Sequence, residues 1–240
     1  MEKIIFNMAT MPPRVKSLED SLPSILAQCD VLNVYLNDFD KVPKILKHKK
    51  INPVLSKNAL GDLGDVGKFF FCDTWTEGYI FTCDDKIIYP HDHVAKHIEL
   101  IERAGRKAVV SSHGRLMKPN CRSYYHDCAA FYGCTGTVVT DMFAHELGTG
   151  VMAFHHSTVD VDLDMFPTIN MTDIWFSIEL QKRGIPILIR KHFKGDYGVS
   201  RKHDDDYSIH ATFNKNNKDA YQTQVVNEWN WQMITCPLLQ

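Results

Sequence analysis

Apolar runs alternate with helix-spaced apolar residues through the first two thirds of the chain. Lys3 to Met8 reads as a strand, closed by a turn at Met11-Pro-Pro-Arg14. Leu18, Leu22, Ile25 and Leu26 then recur at helical spacing, with Pro23 expected to start a new turn or kink the segment. Val31 to Leu36 reads as a second strand ending at Asn37-Asp38, and Ile51 to Leu55 as a third. A glycine-punctuated loop from Gly61 to Lys68 leads into an expected helix over about Phe69 to Trp75. Tyr79 to Cys83, β-branched and aromatic, has the length of a buried strand. After Pro90, Val94, Ile98 and Ile101 mark one face of a helix, and Ala108 to Ser111 a further strand.

The second half is less regular. Gly114 to Asp127 is polar and basic, a long loop of the functional kind. Leu147 to Phe154 reads as a tight glycine turn followed by a strand. Ile174 to Arg183 is an expected helix, with Thr172 as N-cap and Gly184 as its stop. Ile185 to Ile189 is the last core strand; a polar loop from Arg190 to about Asn217 and a final helix through Val225, Val226, Trp229 and Trp231 complete the chain. This alternation predicts an α/β fold, a mixed sheet flanked by helices in a single domain.

Composition narrows the function classes. A length of 240 residues with 44% hydrophobic and 23% charged suits one well-buried core. A net charge of -2 offers no basic footprint, so nucleic acid is not an expected partner. The seven cysteines are odd in number and contain no CxxC pair, which fits a reducing, cytoplasmic setting. The N-terminus reads as a strand rather than a signal peptide, and no run of about 18 apolar residues spans a membrane. A peripheral membrane contact through Trp229 and Trp231 stays open beside their capping of the core.

The chemistry concentrates where the Tyr79 to Cys83 strand ends in Asp84-Asp85, because α/β sheets bind ligands outside their strands' carboxyl ends. Two carboxylates there suit a divalent cation bound to a diphosphate. His91, His93 and His97 include an i, i+4 pair, but no fourth ligand or partner glutamate accompanies them, so surface or capping histidines are expected. Asp204-Asp205-Asp206 follows no apolar strand and reads as a solvated loop. Gly148-Thr149-Gly150 is either a plain turn or a place where backbone approaches a ligand.

Ala9-Thr-Met-Pro-Pro-Arg14, Leu36-Asn-Asp38, Gly64-Asp65-x-Gly67-Lys68, Thr82-Cys-Asp84-Asp85-x-Ile-x-Tyr-Pro90 and Met171-Thr-Asp173-Ile-Trp175 occur in that order. Together they resemble nucleotide-sugar-dependent glycosyltransferases of the GT-A fold, in particular small glycosyltransferase domains of large algal viruses and of bacterial surface-polysaccharide clusters. The resemblance implies a Rossmann-like nucleotide-sugar half over about residues 1–110 and an acceptor half with a C-terminal loop and helix over about 111–240. It implies transfer of a hexose or deoxyhexose, glucose- or rhamnose-like, from a nucleoside diphosphate, UDP first among them, to a hydroxyl of a glycan or glycoconjugate. A non-catalytic nucleotide-sugar or glycan-binding module and a sugar-nucleotide nucleotidyltransferase are the alternatives, the latter demoted because Pro12-Pro13-Arg14 stands where a glycine-rich signature would be.

Site roles follow from the resemblance in the same way. Asp84 and Asp85 are placed to hold Mn²⁺ or Mg²⁺, but Lys86 stands where the family has a third acid. Either Asp85 or a later residue substitutes as ligand, or metal binds weakly, or the Lys86 ammonium takes over part of the neutralisation. Asp38 is placed to meet the nucleoside, or else forms an Asx turn. Thr10, Arg14, Asp65 and Lys68 are placed beside the nucleotide, with surface charge as the other reading of Arg14 and Lys68. Gly148 belongs to the turn beside the donor sugar. Asp173, at a helix N-terminus that favours its charged form, is placed as the base for the acceptor hydroxyl, or merely stabilises its helix. His192 or His203 is the candidate histidine lent to the metal.

Overall fold

The computed structural model describes residues 2–202, 209, 212 and 219–239. Strands β1 (Ile4–Thr10), β2 (Val31–Leu36), β3 (Ile51–Leu55) and β4 (Tyr79–Asp84) fall where the apolar runs predict, give or take a residue. They pair in parallel in the order β3-β2-β1-β4. Beyond β4 come β11 (Val151–His155), β6 (Val109–Ser111), β12 (Ile187–Ile189) and β9 (Met142–Ala144), with β11 and β9 antiparallel to their neighbours. One mixed eight-stranded sheet therefore runs through both halves of the sequence. Directly after Asp84-Asp85, the short β5 (Ile87–Ile88) leaves this sheet and pairs with β13 (Gly198–Val199) instead.

Both faces of the large sheet are covered, which is why its strands read as nearly unbroken apolar runs. Under α1 (Leu18–Leu26) and α2 (His93–Arg103) lie Phe6, Met8, Leu22, Ile25, Phe81 and Ile101. Against the opposite face, beneath α3 (Thr172–Lys182), lie Ile5, Phe69, Ile80, Phe154, Phe166 and Phe176. A third cluster, Met117, Tyr124, Met171, Ile174, Val225 and Val226, joins α3 to α4 (Ala220–Glu228), and Trp229 and Trp231 pack half-buried against it. No described helix is long and apolar enough to cross a membrane.

An asparagine ladder pins the strand register. Asn7, Asn33 and Asn52 face one another across β1, β2 and β3, each amide donating to the previous side-chain carbonyl at 3.0 and 3.1 Å. Asn7 also donates to Phe81 O at 3.2 Å and accepts from Trp75 Nε1, so its buried amide is satisfied on every side. A one-residue slip would strand these amides in the core.

Several expectations change. The helix expected over Phe69 to Trp75 is instead two 3-10 turns, Gly64–Phe69 and Cys72–Thr74. Phe69, Phe71 and Trp75 are all buried, and Gly67 lies so close to Tyr35 that a Cβ would meet its ring at 2.7 Å, so the chain is drawn flat against the sheet. Helix α1 runs through Pro23 without a break. The loop expected from Gly114 begins as β7 (Gly114–Leu116), which pairs with β8 (Ala130–Tyr132) and β10 (Glu146–Leu147). Thr172 lies inside α3, while its expected capping role falls to Asp65 from a distant turn. The last helix ends at Glu228, and Trp229 is already extended. Asp204, Asp205, Asp206 and His203 lie outside the described residues.

Candidate active site

A cleft of about 350 Å³ opens at the carboxyl ends of β1 and β4. Thr10, Arg14, Asp65, Lys68, Asp84, Asp85, Lys86 and Asp173 all line it, drawn from well-separated parts of the sequence.

On the wall built by β1 and β4, the two adjacent acids point to different partners. Asp85 is buried and accepts from Thr10 Oγ1 at 2.7 Å, with the Arg14 Nη2 2.9 Å from its other oxygen. Ser21 of α1 donates to the Asp85 carbonyl at 2.8 Å and fixes the backbone. Asp84 Oδ1 meets Lys68 Nζ at 2.5 Å, and Lys68 is itself buried. Gly150 packs against the Asp84 carboxylate so closely that a Cβ there would lie 2.5 Å from Oδ2. The Tyr89 hydroxyl accepts from Asp84 N at 2.8 Å and donates to Gly150 O at 2.6 Å, locking β4 to the glycine turn.

The electrostatics of the pair diverge accordingly. Burial alone raises Asp84, but the Lys68 ammonium outweighs it and holds the carboxyl at about 2. Burial wins at Asp85 and raises it, against the pull of Arg14 and Thr10. Arg14 Nη2 is held in the ion pair with Asp85, and its buried Nε has no hydrogen-bond partner among the described residues. Lys86 adds another ammonium to the same wall.

The opposite wall is carried by β7, α3, α4 and the segment between β7 and β8. Asp173, at the second position of α3, accepts from Thr149 N and Thr149 Oγ1, both at 2.7 Å and both through Oδ1. Its Oδ2 has no hydrogen-bond partner among the described residues, and Asp173 lines the cleft. Asp65 reaches across to accept from Asn170 N at 2.6 Å, Thr172 N at 3.1 Å and Thr172 Oγ1 at 2.6 Å. It thereby caps the helix that presents Asp173. Burial raises Asp65, though Lys68 and Thr172 oppose the shift.

Arg115 is buried beside Glu146, with Nε 3.1 Å from Oε2, and its guanidinium lies 4.2 Å from the Tyr124 ring centroid. The Tyr124 hydroxyl donates to Glu146 Oε1. Burial pushes Glu146 up to about 7 against the pull of Arg115. His113 is likewise lowered by burial, to about 4, and is neutral at pH 7.

Other candidate residues lie elsewhere. Asp38 is exposed, adopts a left-handed φ of 56°, and does not line the cleft; its neighbour Asn37 does, donating to Gly64 O at 2.8 Å. Gly148 sits one step behind Thr149 and Gly150, against the His113 ring. His192 is buried away from the cleft, its ring nitrogens 2.8 Å from Arg190 O and 3.1 Å from Gly133 O. His93 and His97, expected at the surface or as caps, are core residues: their ring centroids lie 4.1 Å apart, and His93 meets the Tyr197 hydroxyl. Sequence reasoning missed Asn37, His113, Asn170 and Gln222 as cleft residues, whereas Thr149 lies in the glycine turn already noted as a possible ligand approach. The polar, basic run of 114–127 signals Arg115, while Tyr124 and Tyr125 in the same run emerge as cleft residues only from the structure.

The donor set does not fit a divalent cation as it stands. Asp85 commits both oxygens to Thr10 and Arg14, and Asp84 commits one to Lys68, leaving Asp84 Oδ2 alone of the four without a polar partner among the described residues. No group of three His, Cys, Asp or Glu side chains suited to a metal occurs among the described residues. No protein-family model matches the chain, and no curated protein matches it.

Proposed function

We propose that this chain is a nucleotide-sugar-dependent glycosyltransferase of GT-A type, with β1 to β4 forming the nucleotide side of its cleft. The observation that carries this reading is the meeting of Arg14, Lys68 and Lys86 with Asp84 and Asp85 at the strand ends, opposite an Asp173 carboxylate with one oxygen uncommitted. A nucleoside diphosphate, UDP in the first instance, supplies the anion that Arg14 and Lys86 are placed to meet. The transferred group is a hexose or deoxyhexose, and the acceptor is a glycan hydroxyl.

In the reaction, Asp173 Oδ2 takes the acceptor's proton while the acceptor oxygen bonds to the sugar's anomeric carbon. The carbon–oxygen bond to the diphosphate breaks, and its electron pair leaves with the diphosphate. The cations of the β1–β4 wall stabilise that leaving charge electrostatically.

Donor binding and hydrolysis across UDP-, GDP- and dTDP-sugars, with Mn²⁺ or with a chelator, test the reading. One donor should be turned over, and the chelator should leave most of the rate. Asp173→Asn should lower transfer about 10²–10⁴-fold, the usual worth of a general base, while donor affinity holds. Failure of every donor to bind would overturn the proposal. The Lys68–Asp84 pair favours a second reading, a non-catalytic nucleotide-sugar-binding module, because it occupies the acid motif. Binding without turnover in the presence of acceptors would select it.

A further inference from the structure

The carboxyls of Asp65 and Asp173 are joined through two threonine hydroxyls. Asp65 Oδ2 lies 2.6 Å from Thr172 Oγ1, Thr172 Oγ1 lies 2.9 Å from Thr149 Oγ1, and Thr149 Oγ1 lies 2.7 Å from Asp173 Oδ1. Each end oxygen also accepts a backbone N–H, Asp65 Oδ2 from Thr172 and Asp173 Oδ1 from Thr149. Thr172 and Thr149 are 0% and 1% exposed, so bulk water supplies no hydrogen to the chain. Thr82 donates to Thr149 O and fixes the middle of the chain to β4.

The hydrogens of this chain can be counted. Three oxygen–oxygen contacts at hydrogen-bond distance need three hydrogens, and the two hydroxyls supply two. With both carboxyls ionised, Thr172 donates to Asp65 and Thr149 donates to Asp173, and the two hydroxyl oxygens then face each other at 2.9 Å through lone pairs alone. One proton on either carboxyl satisfies every contact. Placed on Asp65, it reverses the first bond, so that all three run from Asp65 through Thr172 and Thr149 to Asp173 Oδ1 and Asp173 remains the carboxylate.

We propose that Asp65 and Asp173 share one proton across Thr172 and Thr149, and that Asp65 holds it while Asp173 stays ionised. Asp65 is then a positioning residue. Its proton lets the Thr149 hydroxyl point to Asp173 Oδ1 without setting two lone pairs face to face, and Oδ2 is left to take the acceptor's proton. That role rests on the glycosyltransferase reading above; the shared proton does not. Burial raises Asp65, in the direction of holding the proton. Lys68 faces both carboxyls and favours their charged forms, but its ammonium is hydrogen-bonded to Asp84, and neither Asp65 nor Asp173 has an ion pair among the described residues. Towards Asp173 also stand Arg115, itself paired with Glu146, the neutral His113, and the Tyr124 and Tyr125 hydroxyls, which burial keeps uncharged.

The test is a pH titration of the protein isotopically labelled at its aspartate carboxyls, read by NMR. Wild type should show an aspartate still protonated at about pH 6, roughly two pKa units above an ordinary aspartate, whose signal is missing from Asp65→Asn. Asp85, also raised by burial, is told apart because its signal persists in that variant. Thr149→Val removes the bridging hydroxyl and keeps both carboxyls, so Asp65 should bind its proton at least about tenfold more weakly. Thr149→Ser keeps the hydroxyl and should match wild type. Burial alone would leave Asp65 as raised in Thr149→Val as in wild type. Thr149→Ala gives the same reading should the valine variant not fold. The proposal is overturned if Asp65 titrates with the ordinary aspartates, if its raised titration survives loss of the hydroxyl, or if serine fails to preserve it. Donor binding keeps the two ideas apart. If no nucleotide sugar binds, the glycosyltransferase reading fails, and the titration still decides the shared proton.

Discussion

On the β1–β4 wall of the cleft, Asp84 meets Lys68 at 2.5 Å and Asp85 is flanked by Thr10 and Arg14, so charge is answered by charge over a few ångströms. On the facing wall, Arg115 is enclosed by Tyr124, Tyr125 and Phe131, Glu146 is pushed to about 7, and Gln222 has no partner among the described residues. The first wall is arranged for a ligand carrying charge, and the second encloses its charges among rings and buried polar groups. The difference arises from where the walls originate. Parallel strand ends gather acids and cations at one sheet edge, whereas the other wall is a short antiparallel unit, β7, β8 and β10, closed by α4.

The largest break in this comparison comes from removing the Lys68 ammonium. Lys68→Met leaves the Asp84 carboxylate beside a buried apolar chain. The cost should be about 2–3 kcal/mol, somewhat below the ~3–5 kcal/mol of a fully enclosed pair, because part of Asp84 opens to the cleft. Urea unfolding measures it, and Lys68→Met with Asp84→Asn should recover most of the loss. A single-variant cost below about 0.5 kcal/mol would show that the first wall does not depend on this pair.

The two walls also titrate with opposite signs. Glu146 is raised from an ordinary 4.5 to about 7, so between those values the folded chain binds more protons than the unfolded one. Stability from this group therefore falls as pH rises from 4.5 to 7 and is flat above. Asp84 is lowered from 3.8 to about 2, so its contribution is present above 3.8 and is lost as pH falls towards 2. The Glu146 window should amount to on the order of 3 kcal/mol, since the rise from 4.5 to about 7 is the net outcome of burial against Arg115 and each pKa unit is worth about 1.4 kcal/mol. Glu146→Gln should flatten the stability profile between pH 4.5 and 7 and leave the acid limb intact. A profile unchanged by that substitution would remove Glu146 from the contrast.

The two walls were not equally legible in the sequence. β1 to β4 announce themselves as long apolar runs and Asp84-Asp85 follows one of them directly, so the amino-acid order sets the acids at a strand end, while only the motif resemblance put Thr10, Arg14 and Lys68 beside them. Strands β7 to β10 are two or three residues long, too short for alternation to register, and Gln222 sits in a helix of weak amphipathic pattern. Asp65 shows the limit from another direction. The resemblance set it beside the nucleotide, and it does line the cleft, but its hydrogen bonds to residues 105 and 107 positions away make it the cap of α3, which no local pattern announces. Asp38 adopts a left-handed φ, and Asn37, not Asp38, lines the cleft.

The finest test uses two glycines two residues apart, one against each wall. A Cβ at Gly150 would lie 2.5 Å from Asp84 Oδ2, whereas one at Gly148 would lie 2.7 Å from the His113 ring. Gly150→Ala must push the Asp84 carboxylate off its place beside Lys68, and nucleotide affinity should fall roughly tenfold, about 1.4 kcal/mol. Gly148→Ala disturbs His113 on the other wall, so, on the proposed glycosyltransferase reading, nucleotide affinity should stay within about twofold while the rate of sugar transfer drops. Calorimetric titration with UDP, beside a transfer assay, reads both. Equal losses of nucleotide affinity would mean that the turn moves as one piece and that the walls are mechanically joined through Thr149, whose backbone and hydroxyl hold Asp173 between the two glycines.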